Sequence, residues 1–172
     1  YGELYPDPYV FKYPKAGEDN SKVSIHVHDL QAGRNLDIEV PEVEYIPRVR
    51  WTPVDGKLIV MTMNRHRNEL RFELADMSSA DAAGRVGTEE VWSETNNTFI
   101  DITVNLTFLG DESFLFTSER DGYNHLWQGS FRGSDVQITS GSWDIGRVYG
   151  YDAKRKQVYF EGSMRGATQL HI

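Results

Sequence analysis

The sequence predicts an all-β fold: a partial β-propeller of about three to four blades, each a four-stranded antiparallel sheet. Three observations predict it. Apolar residues alternate in runs of about four to seven, Gly, Asp, Asn and Pro bound those runs, and a longer unit recurs along the chain.

Taken in order, "VSIHVHDL" places Val23, Ile25 and Val27 on one strand face and His26 and His28 on the other. "KLIVMTM" (57–63), "ELRFEL" (69–74), "SFLFTSE" (113–119), "HLWQGSF" (125–131), "QVYFEG" (157–162) and "QLHI" (169–172) behave as further strands. Helical periodicity is nearly absent. The Ala-rich "ELADMSSADAA" is the one plausible helix, and its Ser-Ser-Ala-Asp centre reads better as a loop.

Three stretches superimpose, beginning at Trp51, Phe108 and Tyr151. Each has an aromatic, a polar turn, an apolar strand, a second polar turn, and a leucine opening another strand. The aromatic-to-leucine spacing is 19 from Trp51 to Leu70, 18 from Phe108 to Leu126 and 19 from Tyr151 to Leu170. The unit starts lie 57 and 43 residues apart, and the longer interval holds the variable "ADMSSADAAGRVGTEE". A period of about 40–50 residues with four short strands is that of propeller blades. The expected units are 1–50, 51–107, 108–150 and an incomplete 151–172, all within one propeller domain. "VSIHVHDLQAGRNLDIEV" fits the outer half of a unit. So few blades leave sheet faces uncovered, and the N-terminus Tyr1-Gly2-Glu3-Leu4 has no initiator methionine or signal-peptide pattern. The expectation is a fragment or processed product.

Composition narrows the function. The 172 residues suffice for one domain with a core, and the net charge of −8 disfavours nucleic-acid binding. Arg65 and Arg67 cluster, as solvated turn charges. There are no cysteines, which removes disulfides, thiol catalysis and thiolate metal sites. No stretch is long and apolar enough for a membrane-spanning helix.

The densest polar stretch is "TSERDGYNHLW", 117–127, with a serine, acids, an arginine and a histidine. In the repeat it occupies the place of "MNRHRN" and "GSMRGAT", a hairpin link between a blade's second and third strands, with Gly122 suited to positive φ. No G-x-S-x-G elbow exists; "GSFRG" and "GSMRG" place serine second. No catalytic residue is assigned. His26 and His28 could chelate a metal with a third ligand, but an exposed strand face is the plainer reading, and no metal or cofactor is assigned. Glu42/Glu44, Glu89-Glu90 and Asp111-Glu112 read as solvated loop acids. Trp51, at the repeated aromatic position, and Trp127 and Trp143 read as packing residues. "NNT" (96–98) and "NLT" (105–107) match the glycosylation pattern, which is common by chance.

"FKYPKAGEDNSKVSIHVHDL", "YIPRVRWTPVDGKLIVMTMNRHRNEL", "NLTFLGDESFLFTSERDGYNHLW" and "QITSGSWDIGRVYGYDAKRKQVYFEGS" together resemble the propeller domain of the dipeptidyl peptidase IV family of serine exopeptidases, its bacterial members above all. The resemblance implies an eight-bladed propeller followed by a C-terminal α/β-hydrolase domain that carries the triad. It implies removal of N-terminal X-Pro or X-Ala dipeptides, a periplasmic or secreted parent, and a parent that dimerises partly through an arm. The connection near "LQAGRNLDIEVPEVEYIPR" is short for that arm. Glu3 does not reproduce the family's paired glutamates. Phe99 matches the family's pocket-lining aromatic on a propeller loop; the alternative is a strand-edge aromatic that simply packs. The expected role is therefore non-catalytic, gating and positioning peptide for the hydrolase domain. A stand-alone propeller binding a protein or glycan is the competing reading.

Overall fold

The computed structural model describes residues 4–5, 7–102, 105–110 and 112–172. Glu3 and Asp111, two of the acids considered above, lie outside them. Among the described residues, twelve strands are arranged as blades. In order they are β1 (Ile25–Asp29), β2 (Arg34–Glu39), β3 (Tyr45–Trp51), β4 (Lys57–Met63), β5 (Glu69–Asp76), β6 (Arg85–Thr95), β7 (Thr107–Phe108), β8 (Ser113–Ser118), β9 (His125–Ser130), β10 (Asp135–Gln137), β11 (Ile145–Asp152) and β12 (Gln157–Gly162). β3 to β6 form an antiparallel meander, as do β7 to β10, and β11 pairs with β12. The β1–β2 hairpin joins β6 through a short parallel match of Asp37–Glu39 with Arg85–Gly87. Together these make a partial propeller: two four-stranded blades between two hairpins.

Strand β4 shows why the blades stack. It has no solvated face, so it reads as a continuous apolar run. Ile59, Met61 and Met63 point to one side, Leu58 and Val60 to the other, and all five are buried. The first side meets Phe72, Trp92, Phe114 and Phe116 in a cluster shared by the two complete blades. The Phe72 and Trp92 rings lie 4.6 Å apart, as do Trp92 and Phe116. A bulge in β6 opposite Phe72 and Glu73 lets the consecutive Val91 and Trp92 both enter this cluster. Gly129 on β9 clears the way, since a Cβ there would come within 2.7 Å of the Phe114 ring. The second side of β4 packs on Leu36 and Ile38 of β2. A third cluster, Leu115, Leu126 and Ile145, joins β7–β10 to β11–β12.

The hairpin links fall as the repeat predicts. Residues 64–68 join β4 to β5, and residues 119–124 join β8 to β9. In the latter, Gly122 has φ 106° and its N–H donates to the Glu119 carbonyl at 2.9 Å. "ELADMSSADAA" is the end of β5 plus a loop holding one short 3-10 turn, Met77–Ser79, capped by Asp76. Glu89 and Glu90 lie within β6 rather than in a loop.

Two further sequence expectations are corrected. Trp51 is 55% exposed rather than core, because β3 is the edge strand of its sheet and its last four residues are left exposed. Leu70 and Leu126 are buried, whereas Leu170 is exposed: past β12 only an isolated bridge, Gly162 to His171, continues the unit.

Candidate functional site

Ser118, Arg120 and His125 are held within the packed blades, while Glu119 and Asp121 stay exposed. Ser118 Oγ donates to the buried Glu94 carboxylate at 2.6 Å and accepts from the Arg120 backbone N–H at 3.3 Å. The Arg120 guanidinium lies 4.0 Å from the Trp127 ring centroid and pairs with Asp135 at 2.8 Å. Asp135 also accepts from Trp92 Nε1 at 2.9 Å. His125 is fully buried. Its Nε2 donates to the Gly141 carbonyl at 2.9 Å and its Nδ1 lies 3.1 Å from Thr139 Oγ1. Both ring nitrogens are thus engaged, and Ser118 has a carboxylate partner instead of a base. A triad needs a base held against its nucleophile and oriented by a third group, and this stretch has none.

A different arrangement faces solvent at this end of the blades. The loop after β6 is tied to the β4–β5 hairpin by two backbone bonds: Asn96 N–H to the Asn68 carbonyl at 2.9 Å, and Ile100 N–H to the Arg67 carbonyl at 2.7 Å. Ile100 plugs into the shared apolar cluster. Phe99, next to it, is left 55% exposed. Its ring sits under the Arg67 guanidinium at 4.4 Å, and Arg67 reaches that position from a left-handed backbone with φ 54°. Phe99 is therefore a loop residue held outward, not a strand-edge aromatic.

Beside it opens a cavity of about 230 Å³. Phe99 and Asp101 line it from the loop, Glu94 and Ser118 from strand ends, and Glu119 and Asn124 from the 119–124 turn. The cavity thus joins the two features the sequence singled out separately, the aromatic and the polar turn. It also contains what sequence reading missed. Glu94 is a lone acid in a strand, and only the contact between blades makes it a buried, Ser118-bonded carboxylate. Arg67 looked like one of two solvated charges and is in fact the partner of Phe99.

Asn96 and Asn105, the acceptors of the two glycosylation patterns, line the same cavity. Asn105, the "NLT" acceptor, is buried. Its Nδ2 donates to Thr117 Oγ1 at 3.3 Å and to the Gly146 carbonyl at 3.2 Å, and its Oδ1 accepts from Val148 N–H at 3.0 Å. A glycan cannot be added to an amide used in this way. Trp143 stacks on Phe160 at 6.2 Å. Among the described residues no group of three His, Cys, Asp or Glu side chains is placed to hold a metal ion.

A blade assembly with an aromatic on a loop at one end defines a propeller module, and comparison with known proteins gives its family. The chain belongs to the family described as the dipeptidyl peptidase IV N-terminal region, whose model matches residues 1–172. It is 27% identical over 99% of its length to a protein of Emericella nidulans named "Probable dipeptidyl-aminopeptidase B", and 29% identical over 99% to the protein of that name in Neosartorya fischeri. The chain spans about 20% of the length of each. Among solved structures it is similar to Porphyromonas gingivalis dipeptidyl peptidase 4, with a TM-score of 0.80 and 30% identity, covering 96% of this chain and 23% of that one. A Bacteroides ovatus protein solved as a dipeptidyl aminopeptidase IV shares the fold, with a TM-score of 0.77 at 21% identity over 89% of this chain and 24% of that one.

Proposed function

We propose that this chain forms middle blades of the propeller of a dipeptidyl-peptidase-IV-like serine peptidase, and that this propeller admits and positions peptide for a hydrolase domain encoded elsewhere in the full-length protein. The activity proposed for that protein is removal of X-Pro and X-Ala dipeptides from peptide N-termini. A periplasmic or secreted location and dimerisation of the full-length protein belong to the same proposal.

The observation that carries the reading is the Phe99 loop. A phenyl ring more than half exposed has apolar area left to bury, and here backbone bonds and the Ile100 anchor fix it before any ligand arrives. Pre-fixing a contact residue lowers the ordering cost of binding. The surrounding cavity offers carbonyl and carboxylate acceptors suited to a peptide backbone and a cationic amine.

Mass spectrometry of products tests the proposal. The full-length protein is expected to release X-Pro and X-Ala dipeptides from unblocked peptides and to leave N-acetylated ones intact, while residues 1–172 alone release none. A full-length protein that binds peptides without cleaving them would support the stand-alone binding module instead.

A further inference from the structure

A second cavity, of about 450 Å³, adjoins the Phe99 loop, and Ile102 lines both cavities. The two are opposite in charge. Glu94, Asp101 and Glu119 line the first, with no Lys or Arg among its described lining residues. The second has apolar walls that include Val23, Ile46 and Met63, and it carries two arginines, Arg48 and Arg67. Glu44 is the one acid among its described lining residues, and it pairs with neither arginine. Strand β3, the edge strand of its sheet, supplies one wall. Its pairing with β4 slips between Tyr45 and Arg48, where Pro47 has no N–H to give the ladder. Asn20 Nδ2 donates to the Glu44 carbonyl at 3.2 Å and so ties residues 20–23 alongside that strand.

Arg67 is fixed before any ligand arrives. Its backbone N–H donates to the Asn64 carbonyl at 3.0 Å, and its own carbonyl accepts from Ile100 N–H at 2.7 Å. The Phe99 ring, 4.4 Å from the guanidinium, holds the far end of the side chain. Yet among the described residues this guanidinium makes no ion pair and no hydrogen bond, whereas those of Arg71, Arg85 and Arg120 all have carboxylate partners. A guanidinium resting on a ring face keeps its N–H fork free, and that fork matches a carboxylate. Arg48 donates one N–H to the Pro47 carbonyl at 2.8 Å and adds a second positive charge to the same groove.

We propose, resting on the peptide-binding reading of the Phe99 loop, that this groove holds a carboxylate of the bound peptide. The carboxylate pairs with Arg67, Arg48 strengthens the local positive field, and the apolar walls take the hydrocarbon stem that carries the charge. The Phe99 site thereby gains a polarity, with acids on its cavity side and arginines on its groove side. Arg67 acts twice, holding the ring and selecting the charge. Two sources share this chemistry: an Asp or Glu side chain beyond the cleaved dipeptide, and the C-terminal carboxylate of a short peptide. Because the guanidinium is already ordered, pairing costs little further side-chain entropy.

Calorimetric titration of the full-length protein tests this, with X-Pro peptides whose bond between the second and third residues is reduced and so cannot be hydrolysed. Three series are compared: C-terminally amidated peptides with Glu at successive positions, the same peptides with Gln, and the Gln peptides with a free C-terminus at successive lengths. The expected result is binding about five-fold tighter for Glu than for Gln at one position, or for free acid than for amide at one length. The first outcome identifies a side chain as the source, the second the chain terminus. Arg67→Gln should bring that ratio to about one. Loss of support for Phe99 would weaken both members of a pair alike and leave the ratio standing, so the ratio reads the charge contact. No peptide binding, no difference at any position or length, or a ratio unchanged in Arg67→Gln overturns the proposal. Release of p-nitroaniline from an X-Pro p-nitroanilide, measured in parallel, reads the peptidase activity alone. A protein that cleaves without charge preference loses only the groove assignment, and one with the preference but no cleavage loses only the peptidase reading.

Discussion

Glu73 ties the stability of the fold to pH. It is 2% exposed on β5, its Oε1 has no hydrogen-bond partner among the described residues, and burial raises its carboxyl above the ordinary 4.5. A hydrogen bond with Thr88 lowers it, Glu90 raises it, and Arg71 lowers it, all by less than burial does. The folded state thus holds this proton more tightly than the unfolded chain does. The contribution to stability is fully present below the ordinary value of 4.5 and is lost as pH rises through the folded value. Glu73→Gln removes the charge and keeps the shape. Urea unfolding is expected to give equal midpoints for variant and wild type near pH 4, with the variant pulling ahead toward pH 7. Parallel midpoints across that range would contradict this. None of it was legible in "ELRFEL", where Glu73 alternates like any solvated strand acid. Its burial depends on what covers that face of β5, which sequence spacing does not encode.

Between elements, Asn105 couples the blades. One side chain bonds Thr117 of β8 and two backbone groups of β11, the Gly146 carbonyl and the Val148 N–H. Asn105→Ala removes these bonds and leaves backbone groups without their partner, a loss of about 2 kcal/mol. Chemical denaturation should show that loss, and hydrogen exchange should show a faster Val148 amide. A change under about 0.5 kcal/mol, the ordinary range for surface substitutions, would mean that apolar packing alone joins the blades. Most elements could be read from the sequence: the strand runs, the hairpin at Gly122 and the recurring leucines at 70 and 126 all follow from alternation and turn chemistry. Trp51 could not be read. An aromatic at a repeated position marks a strand correctly, but whether it is covered depends on what lies beside the sheet edge. Phe99 was placed through family likeness, and its outward pose depends on Arg67, 32 positions earlier, which no local pattern links to it.

At the scale of the molecule, blades stacked face to face present their hairpins and one connecting loop at a common end, and the cavity lies there. Phe72, Trp92, Phe114 and Phe116 hold the two complete blades in register, and through Ile100 they also hold the loop. The core and the candidate site are thus one construction, with Ile100 facing inward and Phe99 outward. Fully burying a phenylalanine side chain is worth about 1.5–3 kcal/mol, so the exposed half of this ring can supply roughly 1 kcal/mol to a ligand. That corresponds to about five-fold in affinity. The most direct measurement is steady-state kinetics of full-length Phe99→Ala on peptides of increasing length against a dipeptidyl p-nitroanilide. The proposed role predicts a KM raised several-fold on the longer peptides, with a different ratio on the short chromogenic substrate. Kinetics unchanged at every length would contradict it.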